Sequence, residues 1–142
     1  MVFEFRLKRR VQFYETDAAG IVHFSNYFRY MEEAEHALWR SAGLSISVPG
    51  SEIGWPRVNV SFEYSRPLRF EDEFEAHIRI VEMAEKMIRY KCSILLAGVL
   101  VATGTMAVVC VAKRPNEPMK AVPIPPEIAS HLRVAPEGGQ TS

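Results

Sequence analysis

Apolar residues return at every second position through four separate stretches of this chain, which is the period of a strand with one buried face. Phe3, Phe5, Leu7, Val11 and Phe13 share one face, broken by Arg9, against Glu4, Arg6, Lys8, Arg10 and Gln12. Val58, Val60, Phe62 and Tyr64 alternate with Arg57, Asn59, Ser61 and Glu63, and Phe74, Ala76, Ile78 and Ile80 alternate with Glu73, Glu75, His77 and Arg79. Ile88, Tyr90, Cys92 and Ile94 alternate with Arg89, Lys91 and Ser93. A fifth run, 99–112, is apolar or small on both faces, as suits a central strand. Strands with one polar face predict an antiparallel sheet. Only one stretch changes period. Tyr27, Tyr30, Met31, Ala34, Leu38 and Ala42 follow helical spacing, with Ser25 or Asn26 able to cap the start and Gly43 able to end it. The expectation is an α+β domain: five antiparallel strands and one amphipathic helix of about 17 residues, ~25 Å long.

The uncharged run 94–112 is long enough to be considered as a membrane span. It contains Gly98, Thr103, Gly104 and Thr105, and Lys91, Lys113 and Arg114 flank both ends, so two buried strands joined at Gly98 explain it better. A turn centred on Ala97 and Gly98 would set Cys92 opposite Thr103 and Cys110 opposite Glu85. The two cysteines then do not face each other, and a reducing, cytoplasmic compartment is the simplest reading. The charged, alternating N-terminus has no apolar signal region. Seventeen Lys and Arg balance seventeen Asp and Glu, and the cluster Arg6, Lys8, Arg9, Arg10 is too short to make a nucleic-acid face. The chain of 142 residues reads as one domain over 1–132. Beyond residue 112, five prolines punctuate an extended connector, 127–132 could form a short helix, and 133–142 is expected to be a disordered tail.

Residues 13–27 break the alternation and lead straight into the helix. Asp17 stands on that strand-to-helix connection, seven residues before a region of unpaired helix N–H groups. An aspartate in a turn usually serves its own local hydrogen bonds. Beside a helix start, which offers donors and a positive dipole end to an oxyanion, it can also attack an acyl carbon or activate water. The residues Tyr14, Asp17, Gly20, Ile21, Val22, Asn26 and Tyr27, followed by Glu32 and Ala34, resemble the active-site signature of the 4-hydroxybenzoyl-CoA thioesterase family of hotdog-fold acyl-CoA thioesterases. Pro56, Tyr64, Pro67 and Asp72 extend the resemblance, which covers about residues 5–126.

The resemblance implies a hotdog fold, a five-stranded antiparallel sheet wrapped around one long helix. It implies hydrolysis of an acyl-CoA, aryl-CoA included, with Asp17 as general base or nucleophile and the backbone N–H of Phe24 polarising the thioester carbonyl. Gly20, His23, Asn26 and Tyr27 become substrate-binding candidates, and no cofactor is needed because coenzyme A belongs to the substrate. It further implies a homodimer, often doubled into a homotetramer, with the active site at the subunit interface. The aromatic-rich segment of Phe24, Tyr27, Tyr30 and Trp55 permits an aryl group. Lys86, Lys113 and Arg114, at expected strand ends, are candidates for coenzyme A phosphates. Glu32, Glu33 and Glu35 read as a mostly solvated helix face, with Arg29 and Glu33 as an i,i+4 pair. His36, His77 and His131 have no metal-ligand spacing, so no metal site is expected. Two other functions fit the same fold: a hydroxyacyl-thioester dehydratase using His23 with Asp17, and a non-catalytic module binding acyl-CoA or acyl-carrier protein.

Overall fold

The computed structural model describes residues 1–137. Its strands are β1 (Glu4–Arg10), β2 (Ile53–Gly54), β3 (Arg57–Tyr64), β4 (Glu73–Met83), β5 (Met87–Leu96), β6 (Val99–Val109), β7 (Val111–Ala112) and β8 (Lys120–Ala121). The helices are α1 (Asn26–Ser41) and the short α2 (Pro126–Ala129). Five strands form one antiparallel sheet in the order β1-β4-β5-β6-β3, and the two-residue strands β2, β7 and β8 form a second. Two details of the expected layout change. The run 99–112 does not stay in one sheet: at Cys110 its backbone N–H turns to the Lys86 carbonyl, and Val111 pairs with Gly54 instead. α2 begins on Pro126, which suits a first helical turn, and is shorter than the expected 127–132.

The inward rows Phe74, Ala76, Ile78, Ile80 and Ile88, Tyr90, Cys92, Ile94 meet Tyr30, Met31, Ala34 and Leu38 of α1 in one core. α1 closes as the spacing predicts. Gly43, at φ 77°, follows it, with Gly43 N–H on the Arg40 carbonyl and Leu44 N–H on the Trp39 carbonyl. Its start differs, because neither Ser25 nor Asn26 caps it with a side chain. Both side chains are engaged in the connection before it.

Three expectations about the strands are corrected. Val11 ends the inward row of β1, and Phe13 falls in a 3-10 turn, 72% exposed, because the chain leaves the sheet there. Val58 and Val60 are 58% and 44% exposed, because β3 is an edge strand with no second neighbour. The β5–β6 hairpin pairs Leu95 with Leu100 and then Ile94 with Ala102, so Val101 is an extra residue. This slip sets Cys92 opposite Gly104 and brings Cys110 to Lys86, one residue from each expected partner. Both thiols are free and buried, and burial pushes that of Cys92 up to about 12. At the C-terminus, Arg133 and Ala135 N–H groups bind the Val2 and Ile80 carbonyls, so the expected tail starts with anchored backbone. Residues 138–142 lie outside the described residues. No described helix is long and apolar enough to cross a membrane.

Candidate functional site

Between β1 and α1 the chain folds into a small, tightly bonded loop. Thr16 and Val22 form an isolated antiparallel bridge. Inside it, the Asp17 N–H binds the Ile21 carbonyl at 2.9 Å and the Gly20 N–H binds the Asp17 carbonyl at 2.9 Å. Gly20 takes φ 79°, a left-handed conformation that a Cβ would strain. Asp17 Oδ1 accepts the Ala19 N–H at 2.8 Å, while Oδ2 meets no donor among the described residues. The Val22 N–H reaches the Leu68 carbonyl at 2.8 Å and ties the loop to the connection after β3.

What positions this loop is Glu15, which sequence reasoning did not single out. Its side chain is 4% exposed and accepts Arg9 Nη1 at 2.8 Å, Arg9 Nη2 at 2.7 Å, the Gln12 N–H at 2.8 Å and the Tyr30 hydroxyl at 3.0 Å. Its backbone carbonyl accepts the His23 N–H at 2.9 Å and Asn26 Nδ2 at 2.8 Å. Burial alone would raise the Glu15 carboxyl, but the Arg9, Gln12 and Tyr30 hydrogen bonds outweigh it and hold the group below its ordinary value. Arg9 also binds Glu33, with Nε at 3.0 Å, so the expected Arg29–Glu33 pair gives way to a contact across the core edge. The sequence carried one signal of this: Arg9 interrupts an inward apolar row, and a charge there needs partners.

Asp17 opens into a cavity of about 380 Å³ walled by Val22, Phe24, Tyr27, Tyr64 and Pro67, with Arg66 on its rim. The Tyr64 hydroxyl donates to the Phe24 carbonyl at 3.0 Å and fixes that peptide. The Tyr27 and Tyr64 rings meet edge to face at 4.9 Å. Among the described residues, no acceptor meets the Phe24 N–H, which lies at the approach to α1. Asp17, with an uncommitted carboxylate oxygen, and Phe24, with an uncommitted backbone N–H, thus both line one largely apolar space.

The remaining candidates divide. Tyr27 lines the cavity with Asp17 and Phe24, whereas Gly20, His23 and Asn26 do not. Gly20 shapes the turn and Asn26 is buried on the Glu15 carbonyl. His23 Nδ1 meets the Ser25 hydroxyl at 2.8 Å, and its ring stacks on Phe24 at 4.4 Å. Of the expected aromatics, Tyr30 packs on Phe74 and Trp55 on Trp39, both away from the cavity. Lys86, Lys113 and Arg114 stand at the far end of the sheet. Tyr64 lies opposite Ala102 and Met87 opposite Val109, seven residues apart along β6, or ~23 Å at about 3.3 Å each. Arg114 there is paired with Glu52 at 3.3 Å.

The far side of α1 holds a second buried carboxyl. Glu35 is fully buried, not solvated, with Arg57 Nη2 at 2.6 Å; the same nitrogen reaches Glu32 at 3.1 Å. Glu35 also hydrogen-bonds Tyr90, whose hydroxyl receives Trp39 Nε1 at 2.9 Å. Burial raises the Glu35 carboxyl above its ordinary value, and Arg57 offsets this only in part. The spacing held a signal here too, because Glu35 stands four residues from both Met31 and Trp39, each fully buried. Among the described residues, no group of three His, Cys, Asp or Glu side chains could hold a metal ion.

The sequence profile of the Thioesterase-like superfamily matches residues 11–132. A protein of Aquifex aeolicus (strain VF5), named only provisionally as an esterase, is 38% identical over 132 residues, spanning 91% of this chain and 98% of its own. The solved structure of a gentisyl-coenzyme A thioesterase superposes with TM-score 0.79 at 29% identity, over 87% of this chain and 98% of that one. A 1,4-dihydroxy-2-naphthoyl-CoA thioesterase from Synechocystis shares the fold, with TM-score 0.82 at 23% identity over 90% and 94% of the two chains.

Proposed function

The chain belongs to the Thioesterase-like superfamily and is a thioester hydrolase, and we propose that its substrate is an acyl- or aryl-coenzyme A thioester attacked through Asp17. The observation that carries this reading is the pair of uncommitted groups at one apolar cavity: Asp17 Oδ2 and the Phe24 N–H. With the thioester carbonyl oxygen on the Phe24 N–H, charge that develops on that oxygen meets a fixed donor and the positive end of α1. Asp17 then takes a proton from water as the water oxygen bonds to the carbonyl carbon. The tetrahedral intermediate collapses with cleavage of the carbon–sulfur bond, and the thiolate leaves and is protonated. In the alternative route Asp17 Oδ2 itself bonds to the carbon, the thiolate leaves, and water hydrolyses the resulting mixed anhydride. General base catalysis of this kind contributes roughly 10²–10⁴ in rate, and a single oxyanion donor about 10²–10³.

The narrower kinship with 4-hydroxybenzoyl-CoA thioesterases is part of the same proposal, supported by the aromatic walls Phe24, Tyr27 and Tyr64. The similar gentisyl-coenzyme A and 1,4-dihydroxy-2-naphthoyl-CoA thioesterases act on aryl thioesters, which supports an aryl group here. A dehydratase would need His23 and Asp17 to face one ligand; His23 instead engages Ser25 and stays off the cavity wall. The exposed apolar edge of β3 supports a homodimer, doubled in a homotetramer, because such an edge invites strand pairing. Two copies of one strand related by a two-fold axis pair antiparallel, so the Tyr64 end of one β3 would lie beside the Arg57 end of the other.

Asp17→Asn tests the assignment: kcat falls by about 10²–10⁴ across a panel of short, long, branched and aromatic acyl-CoAs, with thermal unfolding unchanged. Retention of most of kcat would remove Asp17 from the reaction. Oxygen-18 from water entering the Asp17 carboxylate in a single turnover selects the anhydride route. Tight acyl-CoA binding without thiol release across the panel selects a binding module, and enoyl product from a 3-hydroxyacyl-CoA selects the dehydratase. Sedimentation should return a multiple of the 16.1 kDa chain mass, and a fully active monomer would contradict a shared site.

A further inference from the structure

The cavity beside Asp17 continues beyond Pro67. A second hollow of about 400 Å³ shares Arg66 and Pro67 with it and runs past Arg69 to Leu96, Ala97 and Val99 at the β5–β6 turn. Together they form one groove. Its Asp17 end has aromatic walls, its middle is lined by Pro67, Val99 and Val101, and its rim carries two arginines.

Among the described residues, half of the twelve arginines are held by acids. Arg6, Arg9, Arg10, Arg57, Arg89 and Arg114 are each paired with a glutamate. Arg66 and Arg69 are exposed, and neither guanidinium meets a carboxylate among the described residues. Asp72, three residues from Arg69, is occupied by the backbone of the same loop, with its Oδ2 accepting the Arg69 N–H at 2.8 Å. The loop backbone is also fixed at its other end, where the Arg66 N–H binds the Val101 carbonyl at 3.1 Å. Two forked donors therefore project from a rigid loop into solvent, along a groove that starts at the proposed reaction centre. A guanidinium presents paired N–H groups that match phosphate oxygens, and it stays charged at any working pH.

We propose that Arg66 and Arg69 bind the phosphates at the nucleotide end of coenzyme A. The pantetheine arm then lies along Pro67, Val99 and Val101, and the acyl or aryl group occupies the cavity beside Asp17. This rests on the hydrolase reading above and assigns the phosphates to Arg66 and Arg69 in place of Lys86, Lys113 and Arg114, because the two arginines line the groove that starts at Asp17. Specificity for a coenzyme A thioester over a short thiol ester is the property these arginines confer.

The test uses one acyl group carried on coenzyme A and on N-acetylcysteamine, which has no phosphate. In Arg66→Ala with Arg69→Ala, kcat/KM for the coenzyme A ester should fall about tenfold or more relative to the N-acetylcysteamine ester, mainly through KM. The Arg→Lys pair should recover part of that ratio, and raising the salt should weaken the wild type more than the alanine pair. Calorimetry provides a readout independent of turnover: coenzyme A should bind the wild type more tightly than pantetheine does, and the alanine pair should lose that preference. An unchanged ratio, an equal fall on both esters, or a selective fall in Lys86→Ala or Lys113→Ala but not the arginine pair overturns the proposal. If the wild type hydrolyses no thioester yet binds coenzyme A through the arginines, the hydrolase reading fails while this site stands. If hydrolysis proceeds and the arginines change neither ratio nor binding, this site fails and the hydrolase reading stands.

Discussion

Glu15 and Glu35 are two buried carboxyls on two sides of one helix, each bonded to an arginine and a tyrosine, and they shift in opposite directions. Glu15 is held below its ordinary value and Glu35 above it. The difference is in the balance of donors against burial. Glu15 receives both Arg9 nitrogens, a backbone N–H and the Tyr30 hydroxyl, which together satisfy an anion. Glu35 also receives both Arg57 nitrogens, at 2.6 and 3.5 Å, and a Tyr90 hydrogen bond, but it is more deeply buried and shares Arg57 with Glu32. Fixed donors and desolvation compete at every buried acid: the donors win at Glu15, and the deeper burial wins at Glu35. The better-served carboxylate is the one next to Asp17, where it anchors the loop through its carbonyl as well. Glu15 is thus a positioning residue, and Glu35 belongs to the packing beneath β3.

The largest expected effect that would break this contrast comes from Glu15→Ala. Removing one partner of a buried pair typically costs ~3–5 kcal/mol; Glu33 keeps a hold on Arg9, so the low end, ~3 kcal/mol, is expected by urea denaturation. The kcat should fall as well, although Asp17 and Phe24 remain, because the Glu15 carbonyl that accepts His23 and Asn26 is no longer anchored through its side chain.

Glu15→Gln and Glu35→Gln sharpen the contrast at constant size. At pH 7 the first should cost ~2 kcal/mol, the scale of a charged hydrogen bond. The second should cost under ~1 kcal/mol, since a neutral amide resembles the form that burial favours. Equal losses would mean that protonation does not distinguish the two sites.

Their pH dependences should also be mirror images. The Glu15 value is lowered, so its contribution is present above the ordinary 4.5 and is lost as pH falls through the folded value. The Glu35 value is raised, so its contribution is present below 4.5 and is lost as pH rises through the folded value. Glu15→Gln should therefore flatten the acid arm of the stability curve, and Glu35→Gln the arm above it. His36 Nε2 lies 3.8 Å from Glu35, and burial lowers its own value. His36→Gln separates its share.

The smallest effects come from two glycines at opposite ends of the helix. Gly20→Ala and Gly43→Ala should each cost about 1 kcal/mol, because both positions have φ near 80° and open space around them. Only Gly20→Ala should also lower kcat, because only that turn carries Asp17.

Much of the sheet and the helix was legible because strand and helix periods are written in neighbouring residues, and burial of one face follows from them. The turn that carries Asp17 and Gly20 and the helix start after Phe24 were legible for a similar reason: both are local. The slip at Val101 was not, because a bulge is resolved between two strands and leaves no period of its own in either. Nor was the exposure of Val58 and Val60, whose alternation matches that of a covered strand; only the strand order leaves β3 at an edge.

The sequence by itself determined the class of fold, one helix among antiparallel strands, and the loop on which a carboxylate meets a helix start. Tertiary structure decided which charges are buried and which remain available. Arg9 finds Glu33 twenty-four residues away and Arg57 finds Glu35 across twenty-two, while Arg66 and Arg69 find no acid among the described residues. Periodicity is a property of near neighbours. An ion pair depends on which distant segments the packed core brings within a few ångströms, and on how much water is excluded when it does so.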